Sequence, residues 1–184
     1  MLRMKPTKPH NKLRITVIIL TAFLVVGMMT TKVGIGFNQS HSLSGRVFLI
    51  VKGTLPNKRF DMVIFKSISA IEDIKANGSK YPIAHKSNVK EVVGFSGDVI
   101  SVKKNVNDNN LHIYLNGEDY GIVKNYSLDG RRKLYPIVEV NNSLVIPQGY
   151  YFVHTPHKDS YDSRYKSIGL IHKSQIIGRA YEIL

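Results

Sequence analysis

A serine in a small polar segment is the strongest candidate for a nucleophile in this chain. The segment runs from Asn38 to Gly45 and contains Ser40, Ser42 and Ser44. Because the 184 residues include no cysteine, disulfides and thiolate catalysis are excluded, and Ser, Thr, Lys and His remain as nucleophiles or bases. We predict that Ser42 is the nucleophile, which requires a base within hydrogen-bond reach.

Two kinds of base are compatible with the sequence. A Ser-His-Asp arrangement would use His154 or His157 with Asp162, and a Ser-Lys arrangement would use Lys90. Lys90 stands before the apolar residues 92–95, where desolvation would lower its pKa and leave the amine neutral enough to accept a proton. The Ser-Lys pair therefore fits better, although most lysines at strand starts are solvated and the residues alone do not establish catalysis.

The only long apolar segment comes directly before the serine-rich segment. Residues 15–31 contain no charged side chain, and as a helix they would extend about 25 Å, close to the hydrocarbon thickness of a bilayer. Five basic and no acidic residues precede them, a flank that favours a cytoplasmic N-terminus. A cleavable signal is the competing interpretation, but residues 29–31 lack the small residues of a cleavage site. We predict a basic cytoplasmic N-terminus at 1–14, a transmembrane anchor at 15–31 and an extracytoplasmic domain at 32–184.

The formal net charge of +13 raises the question of nucleic-acid binding. Outside the N-terminal flank, however, the basic residues are scattered along the chain, which suits a surface near anionic lipid headgroups at least as well. We therefore predict membrane lipid and no nucleic acid among the partners, and no cofactor.

Short apolar runs separated by turn residues predict many short strands. The predicted strands are residues 47–51, 61–65, 89–95, 99–102, 111–115, 120–123, 137–140, 144–146, 150–153 and 176–180. Ser69 and Glu72 form a capping-box pattern that predicts one short helix ending at Asn77-Gly78. The expected fold is mostly β: an N-terminal transmembrane helix followed by an antiparallel β-rich domain with one short helix.

Five short motifs stand in order along this domain. They are Ser40-x-Ser42-Leu43, Arg59-Phe60-Asp61-Met62-Val63-Ile64-Phe65, Lys90-Glu91-Val92-Val93-Gly94-Phe95-Ser96-Gly97-Asp98, Asp159-Ser160-Tyr161-Asp162-Ser163-Arg164-Tyr165 and Ile177-Gly178-Arg179-Ala180. They resemble the Ser-x-Ser-Met, Arg-Gly-Asp-Ile-Val-Val-Phe, Lys-Arg-x-Val-Gly-Leu-Pro-Gly-Asp, Asn-Ser-x-Asp-Ser-Arg-Tyr and Val-Gly-Arg-Ala boxes of type I signal peptidases. Any one match is unspecific, but five in order cover the chain from Ser40 to its end.

Within that family the chain is most similar to the conjugative-transfer (TraF-type) peptidases, which mature pilin precursors. The small size, the single anchor, Leu43 after the predicted nucleophile and the short helix before the lysine box carry this similarity. The chain departs from the family boxes where it has Ser44, Glu91, Ser96 and His154-Thr155-Pro156.

The resemblance implies a catalytic role for three residues. Ser42 would attack the scissile carbonyl, and Lys90 would act first as general base and then as general acid. The backbone N–H of Ser42 and the hydroxyl of Ser40 would stabilise the oxyanion.

The last serine-containing box would support this dyad. The resemblance implies that Ser160 hydrogen-bonds and orients the lysine, and that Asp162 and Arg164 form an ion pair holding the segment against the site. An ordinary surface ion pair is the alternative for the last two. We expect His154 and His157 to be solvated and not to be metal ligands.

The function expected from this resemblance is that of a membrane-anchored serine endopeptidase with a Ser42-Lys90 dyad. It would act on the periplasmic side of the cytoplasmic (inner) membrane on precursors with small residues before the cleavage site, and its most specific expected substrate is a propilin in conjugative transfer. A housekeeping type I signal peptidase and a non-catalytic anchored assembly factor of a transfer apparatus are the alternatives.

Overall fold

The fold is built from one long helix and two antiparallel β-sheets. The computed structural model describes residues 9–37, 47–66, 87–128, 130 and 132–183. Its elements in this part of the chain are α1 (Pro9–Lys32), β1 (Val33–Phe37), β2 (Val47–Lys52), β3 (Asp61–Phe65), β4 (Asn88–Gly94), β5 (Val99–Lys104), β6 (Leu111–Leu115), β7 (Glu118–Ile122), β8 (Ser143–Val145), β9 (Tyr150–His154), β10 (Ile171–His172) and β11 (Ile176–Glu182). A 3-10 turn at Lys173–Gln175 joins the last two strands.

The first sheet has seven strands in the order β1-β2-β11-β3-β4-β9-β10, and every pairing in it is antiparallel. The strand β11 therefore lies between β2 and β3 although it comes last in the sequence. Buried side chains of β3, β4 and β9 and of residues 168–171 form one apolar cluster. Its members are Val63, Phe65, Val92, Val153, Ile168 and Ile171. The β-branched residues of these strands suit the pleated surface, and their burial stabilises this half of the fold.

The second sheet has four strands in the order β7-β6-β5-β8 and covers a second apolar cluster that includes Ile100, Val102 and Ile113. A tight turn at residues 95–98 connects the two sheets. The N–H of Asp98 donates to the carbonyl of Phe95, and Gly97 in the third position has a φ of +91°. This is the backbone angle at which glycine is favoured in a type II turn.

The expectation of a mostly β, antiparallel fold with a helix is confirmed. Nine of the ten predicted strands overlap strands of the structure, but the one at 137–140 is wrong. There the N–H of Ile137 donates to the carbonyl of Arg164 and that of Asn141 to the carbonyl of Val102. Proline at 136 offers no N–H, and the segment is an irregular connection whose apolar residues pack on the second sheet. The predicted helix after Ser69 lies outside the described residues.

The N-terminal helix α1 includes the segment predicted as an anchor, residues 15–31. Within the part of the chain that the structure describes, no helix combines the length and the apolar composition needed to cross a membrane. The structure therefore does not confirm the anchor.

Candidate active site

Lys90 is a buried amine in the middle of the first sheet. It lies on β4 opposite Val63 of β3, and only 6% of its surface is exposed. Its Nζ donates a hydrogen bond to Ser160 Oγ at 2.8 Å. Burial lowers the pKa of Lys90 to about 8, with Asp162 opposing and Arg164 adding to that change. A substantial fraction of this lysine is therefore neutral near pH 8, as proton abstraction requires.

Ser160 is held at this amine by the ion pair that follows it in the sequence. Arg164 Nε and Nη2 donate to the two carboxylate oxygens of Asp162 at 2.9 and 3.0 Å. Arg164 Nη2 also donates to the carbonyls of Ser160 at 2.9 Å and His157 at 3.1 Å, and Nη1 donates to that of Ile122 at 3.2 Å. The guanidinium thus binds the turn that carries Ser160 to β7 of the second sheet.

The ion pair is buried rather than superficial. Asp162 is fully buried and Arg164 is 1% exposed. Burial alone would raise the pKa of Asp162, but His154 and Arg164 outweigh it and lower that pKa to about 2. The alternative of an ordinary surface pair is therefore wrong, and the segment belongs to the buried core.

His154 is also buried, so the expectation that it is solvated is wrong. Its Nδ1 lies 3.3 Å from Asp162 Oδ2, an ion-pair distance without the direction of a good hydrogen bond. The ring of Tyr120 meets the imidazole edge to face at 5.5 Å, and Glu91 is its partner on the neighbouring strand. His157 is exposed, as expected. Among the described residues, no three His, Asp or Glu side chains converge on a position that could hold a metal ion.

Thr155 also belongs to this network, and the sequence did not suggest it. It is fully buried, its hydroxyl donates to Ser160 Oγ, and its N–H donates to Asp162 Oδ2 at 3.3 Å. The only signal in the sequence was its place in a stretch, residues 154–156, that departs from the family pattern.

Charged residues of the motifs pair with one another across long stretches of sequence. Arg59 donates to Asp98 Oδ1 at 2.8 Å and to the carbonyl of Val93, so it spans the turn after β4. Asp98 also accepts from the N–H of Phe95 at 2.7 Å. These contacts stabilise the turn that connects β4 of the first sheet to β5 of the second.

A second ion pair of motif residues connects two neighbouring strands of the first sheet. Arg179 Nη2 donates to Asp61 Oδ1 at 2.8 Å, and Asp61 Oδ2 accepts from the N–H groups of Asn57 at 2.8 Å and Lys58 at 3.1 Å. Asp61 is 5% exposed, so these donors satisfy a nearly buried carboxylate. The pair joins the start of β3 to β11.

Ser40 and Ser42 lie outside the described residues. The chain on either side of them is fixed, because Phe37 at the end of β1 pairs with Val47 at the start of β2. The structure therefore brings together Lys90, Ser160, Asp162 and Arg164, and it leaves the position of the predicted nucleophile undetermined.

Comparison with known proteins agrees with the motifs. No curated protein matches the chain significantly. The family described as "Signal peptidase, peptidase S26" matches residues 10–184, a range that includes all five motifs and every residue of the Lys90 network. The chain therefore belongs to the signal peptidase family, peptidase S26.

Proposed function

We propose that this protein is a membrane-anchored serine endopeptidase that cleaves the leader peptides of exported precursors with a Ser42-Lys90 dyad. The observation that carries the proposal is the state of Lys90: a buried amine whose pKa is lowered to about 8 and which Ser160 holds at 2.8 Å. Membership of the signal peptidase family supports the same activity.

The proposed mechanism follows from the chemistry of a neutral amine. Lys90 removes the proton of Ser42 as its oxygen attacks the scissile carbonyl, which gives a tetrahedral oxyanion and a charged lysine. The N–H of Ser42 and the hydroxyl of Ser40 stabilise that oxyanion, a contribution of about 3 kcal/mol for each donor. Lys90 then returns the proton to the leaving amine, and water repeats the sequence on the acyl-enzyme.

The Ser-His-Asp arrangement is the alternative for the base. It would pair the same nucleophile with His154, which lies 3.3 Å from Asp162. We favour Lys90 because Asp162 is already committed to Arg164. Its two oxygens accept from three groups of Arg164, namely the main-chain N–H, Nε and Nη2. A carboxylate in that position stabilises the segment rather than a histidine base.

The proposed location and substrate come from the sequence. Residues 1–14 are cytoplasmic, 15–31 form the anchor and 32–184 form the peptidase domain on the periplasmic side of the inner membrane. The similarity to conjugative-transfer peptidases favours propilin as substrate, with small residues before the cleavage site. A housekeeping signal peptidase would instead process many secreted precursors, and a non-catalytic assembly factor would process none.

The test is mass spectrometry of a candidate propilin and of a panel of exported precursors, each co-expressed with the full chain. We compare the wild type with the variants Ser42→Ala, Lys90→Ala and His154→Gln. The dyad predicts that cleavage is lost in the first two while the protein remains in the membrane fraction, and that it persists in His154→Gln.

Each other outcome has a distinct meaning. Cleavage lost in His154→Gln and retained in Lys90→Ala would favour the histidine base. Cleavage of most of the panel would indicate a housekeeping peptidase. An intact propilin and an intact panel with the wild type would contradict peptidase activity and favour the assembly factor.

A further inference from the structure

Residues 125–135 form a hairpin after β7, outside the two sheets. The N–H of Leu134 donates to the carbonyl of Asn125 at 2.8 Å, and Tyr126 and Lys133 are paired opposite each other in an antiparallel bridge. Residues directly opposite in such a pair present their side chains to the same side. We refer to this segment as the 125–135 hairpin.

The two sides of the 125–135 hairpin have different surroundings. On one side Leu134 is buried in the apolar cluster of the second sheet, and the guanidinium of Arg132 lies 6.0 Å from the ring centre of Tyr161. On the other side Lys133 is exposed, and its Nζ lies 5.4 Å from the ring centre of Tyr135. The alternation of an extended chain therefore turns one side to the protein and the other to the solvent.

The outward side carries large aromatic and aliphatic side chains together with a cation. Tyr126 is 55% exposed and Tyr135 is 57% exposed, and each is a neighbour of Lys133. Leu128, in the turn of the hairpin, is 82% exposed. Single exposed apolar residues are ordinary on a soluble protein, but a group of them on one short hairpin indicates a contact surface.

The charge of the hairpin indicates what it contacts. Residues 131–133 are all basic, and Asp129 is the only acidic residue between 125 and 135. Anionic lipid headgroups attract such a basic cluster, and tyrosine favours the headgroup layer, where its ring is in an apolar environment and its hydroxyl is hydrated. Leu128 would find apolar surroundings at the boundary of the acyl chains, which the phosphate backbone of a nucleic acid does not offer.

The base of the hairpin contacts the segment that carries Ser160. Lys124, just before the hairpin, forms an ion pair with Asp159, and Arg132 lies over the ring of Tyr161. Asp159 and Tyr161 are the two sequence neighbours of Ser160, which touches the proposed base. Contact between the hairpin and lipid would therefore keep this segment close to the bilayer surface.

We propose that the 125–135 hairpin is a membrane-contacting surface: Tyr126, Leu128 and Tyr135 enter the headgroup layer of an anionic bilayer, and the basic residues bind its phosphates. This inference rests on the proposed membrane location of the chain. It adds to the anchor a second contact with lipid, on the side of the domain that carries Ser160.

The test uses the absence of tryptophan from the chain, because a single introduced tryptophan then reports on a single position. Leu128→Trp places it in the turn of the hairpin. The matched control is Val106→Trp, at a residue that is 96% exposed in a loop, 105–110, whose other members are asparagine and aspartate. Each full chain is reconstituted into phosphatidylcholine vesicles with or without about one third phosphatidylglycerol. Fluorescence is recorded with and without brominated acyl chains, which quench tryptophan on contact.

In the anionic vesicles we expect the emission of Leu128→Trp to shift to shorter wavelength. Brominated lipid should quench it at least about threefold more strongly than it quenches Val106→Trp, because only the first tryptophan enters the bilayer surface. Leaving out phosphatidylglycerol, or adding Lys133→Gln, should weaken the quenching, since each basic residue near an anionic surface strengthens its binding about fivefold.

Quenching of Leu128→Trp that is absent, or no stronger than that of Val106→Trp, would overturn the inference. Equal quenching in neutral and anionic vesicles would also overturn it, because the basic residues would then have no part in the contact. A spectral shift with polyglutamate but no quenching by brominated lipid would overturn it as well and would assign the hairpin to an acidic polypeptide.

The proposed function is tested separately. Flotation of the wild-type chain with neutral vesicles tests the anchor, and a chain that does not float with them contradicts the anchor while quenching in anionic vesicles still decides the role of the hairpin. None of these measurements needs a substrate, so a chain without peptidase activity would contradict the proposed cleavage alone.

Discussion

Lys90 carries a stability penalty that its proposed chemistry requires. In an unfolded chain its pKa is near 10.5, and in the folded protein burial lowers it to about 8. Between these pKa values the unfolded chain binds more protons at Lys90 than the folded chain does. The unfolding free energy of the protein therefore rises with pH in this range. Below pH 8 the full penalty applies, which is up to about 3 kcal/mol by the size of the pKa difference.

This penalty predicts a pH-dependent effect of Lys90→Met. The variant keeps most of the side-chain volume and removes the titrating amine, so its unfolding free energy lacks this pH dependence. Relative to the variant, the wild type should gain up to about 3 kcal/mol between pH 7 and pH 11. Urea unfolding of both proteins at a series of pH values measures the difference, and a difference that does not vary with pH would contradict the burial of a titrating amine.

Asp162 stabilises the fold where Lys90 destabilises it, and its effect on stability changes at acid pH. Its pKa is lowered to about 2 in the folded protein, so its contribution is fully present above about pH 4 and is lost as the pH falls through 2. Asp162→Asn leaves Arg164 buried without its counter-charge and should lower the unfolding free energy by about 3–5 kcal/mol at neutral pH.

The control for Asp162→Asn is Glu139→Gln, at an exposed carboxylate whose described side-chain hydrogen bond is a long one, at 3.4 Å from Asn142. Its unfolding free energy should stay close to that of the wild type. Equal losses in the two variants, measured by urea unfolding at pH 7, would show that the Asp162 ion pair does not stabilise the fold.

Among the elements, β11 approaches the main chain of β2 closely at Gly178. A Cβ added to Gly178 would lie 2.2 Å from the carbonyl oxygen of Val51 and 2.8 Å from Cα of Lys52. Both atoms belong to the main chain of β2, which cannot move aside without breaking its pairing with β11. The glycine of this motif is therefore required by the close approach of two strands.

We predict that Gly178→Ala lowers the unfolding free energy by about 3 kcal/mol or more, because the sheet must separate to admit one methyl group. The matched control is Gly34→Ala on the edge strand β1, where an added Cβ meets only the flexible end of Lys52 at 3.5 Å. Thermal unfolding of both variants measures the effect. Equal stability of the two would contradict the close packing of β11 on β2.

At the same scale, the sequence predicts strands well where apolar runs end in turn residues, as at β3 and β6. It misses β1, because Gly34 and Gly36 weaken a strand pattern and the preceding apolar run predicts helix. It misses β10 because two residues carry no periodicity. It wrongly predicts a strand at 137–140, where the hydrogen bonds go to distant segments and not to a neighbouring strand.

In the whole molecule, the sequence supplies the members of the site but not their partners. Family resemblance pointed to Lys90, Ser160, Asp162 and Arg164, and the structure brings these four together. It gave no indication that Arg59 pairs with Asp98 or Asp61 with Arg179, because those contacts depend on the order of strands in the sheet. The buried positions of His154 and Thr155 likewise depend on how the two sheets meet, which no local pattern encodes.

The second sheet contains a separate charged cluster around His112. This cluster predicts how the unfolding free energy changes with pH near neutrality. His112 Nδ1 lies 2.8 Å from Asp119 Oδ2, and Nε2 lies 2.8 Å from Asp108 Oδ2. Burial opposes the charge of the imidazole, but the bonds to Asp119 and Asp108 outweigh it and raise the pKa of His112 above its usual 6.5. Its contribution is therefore fully present below pH 6.5 and is lost as the pH rises through the folded-state pKa.

We predict that His112→Gln destabilises the protein more at pH 5 than at pH 9, as measured by urea unfolding. In a chain that also carries Asp108→Asn and Asp119→Asn, the same substitution should no longer cost more at pH 5 than at pH 9, because burial, which lowers the pKa of His112, is then unopposed. A larger loss at pH 9 than at pH 5 would show that the histidine is held neutral between the two carboxylates.

The central place of β11 also bears on when the protein folds. Residues 47–65 supply β2 and β3, but the strand that joins them comes from residues 176–182. During synthesis, more than one hundred residues must therefore emerge before the two strands are linked. Until then β2 and β3 expose unpaired edges, so nascent chains of this protein should depend on holding factors that cover such edges.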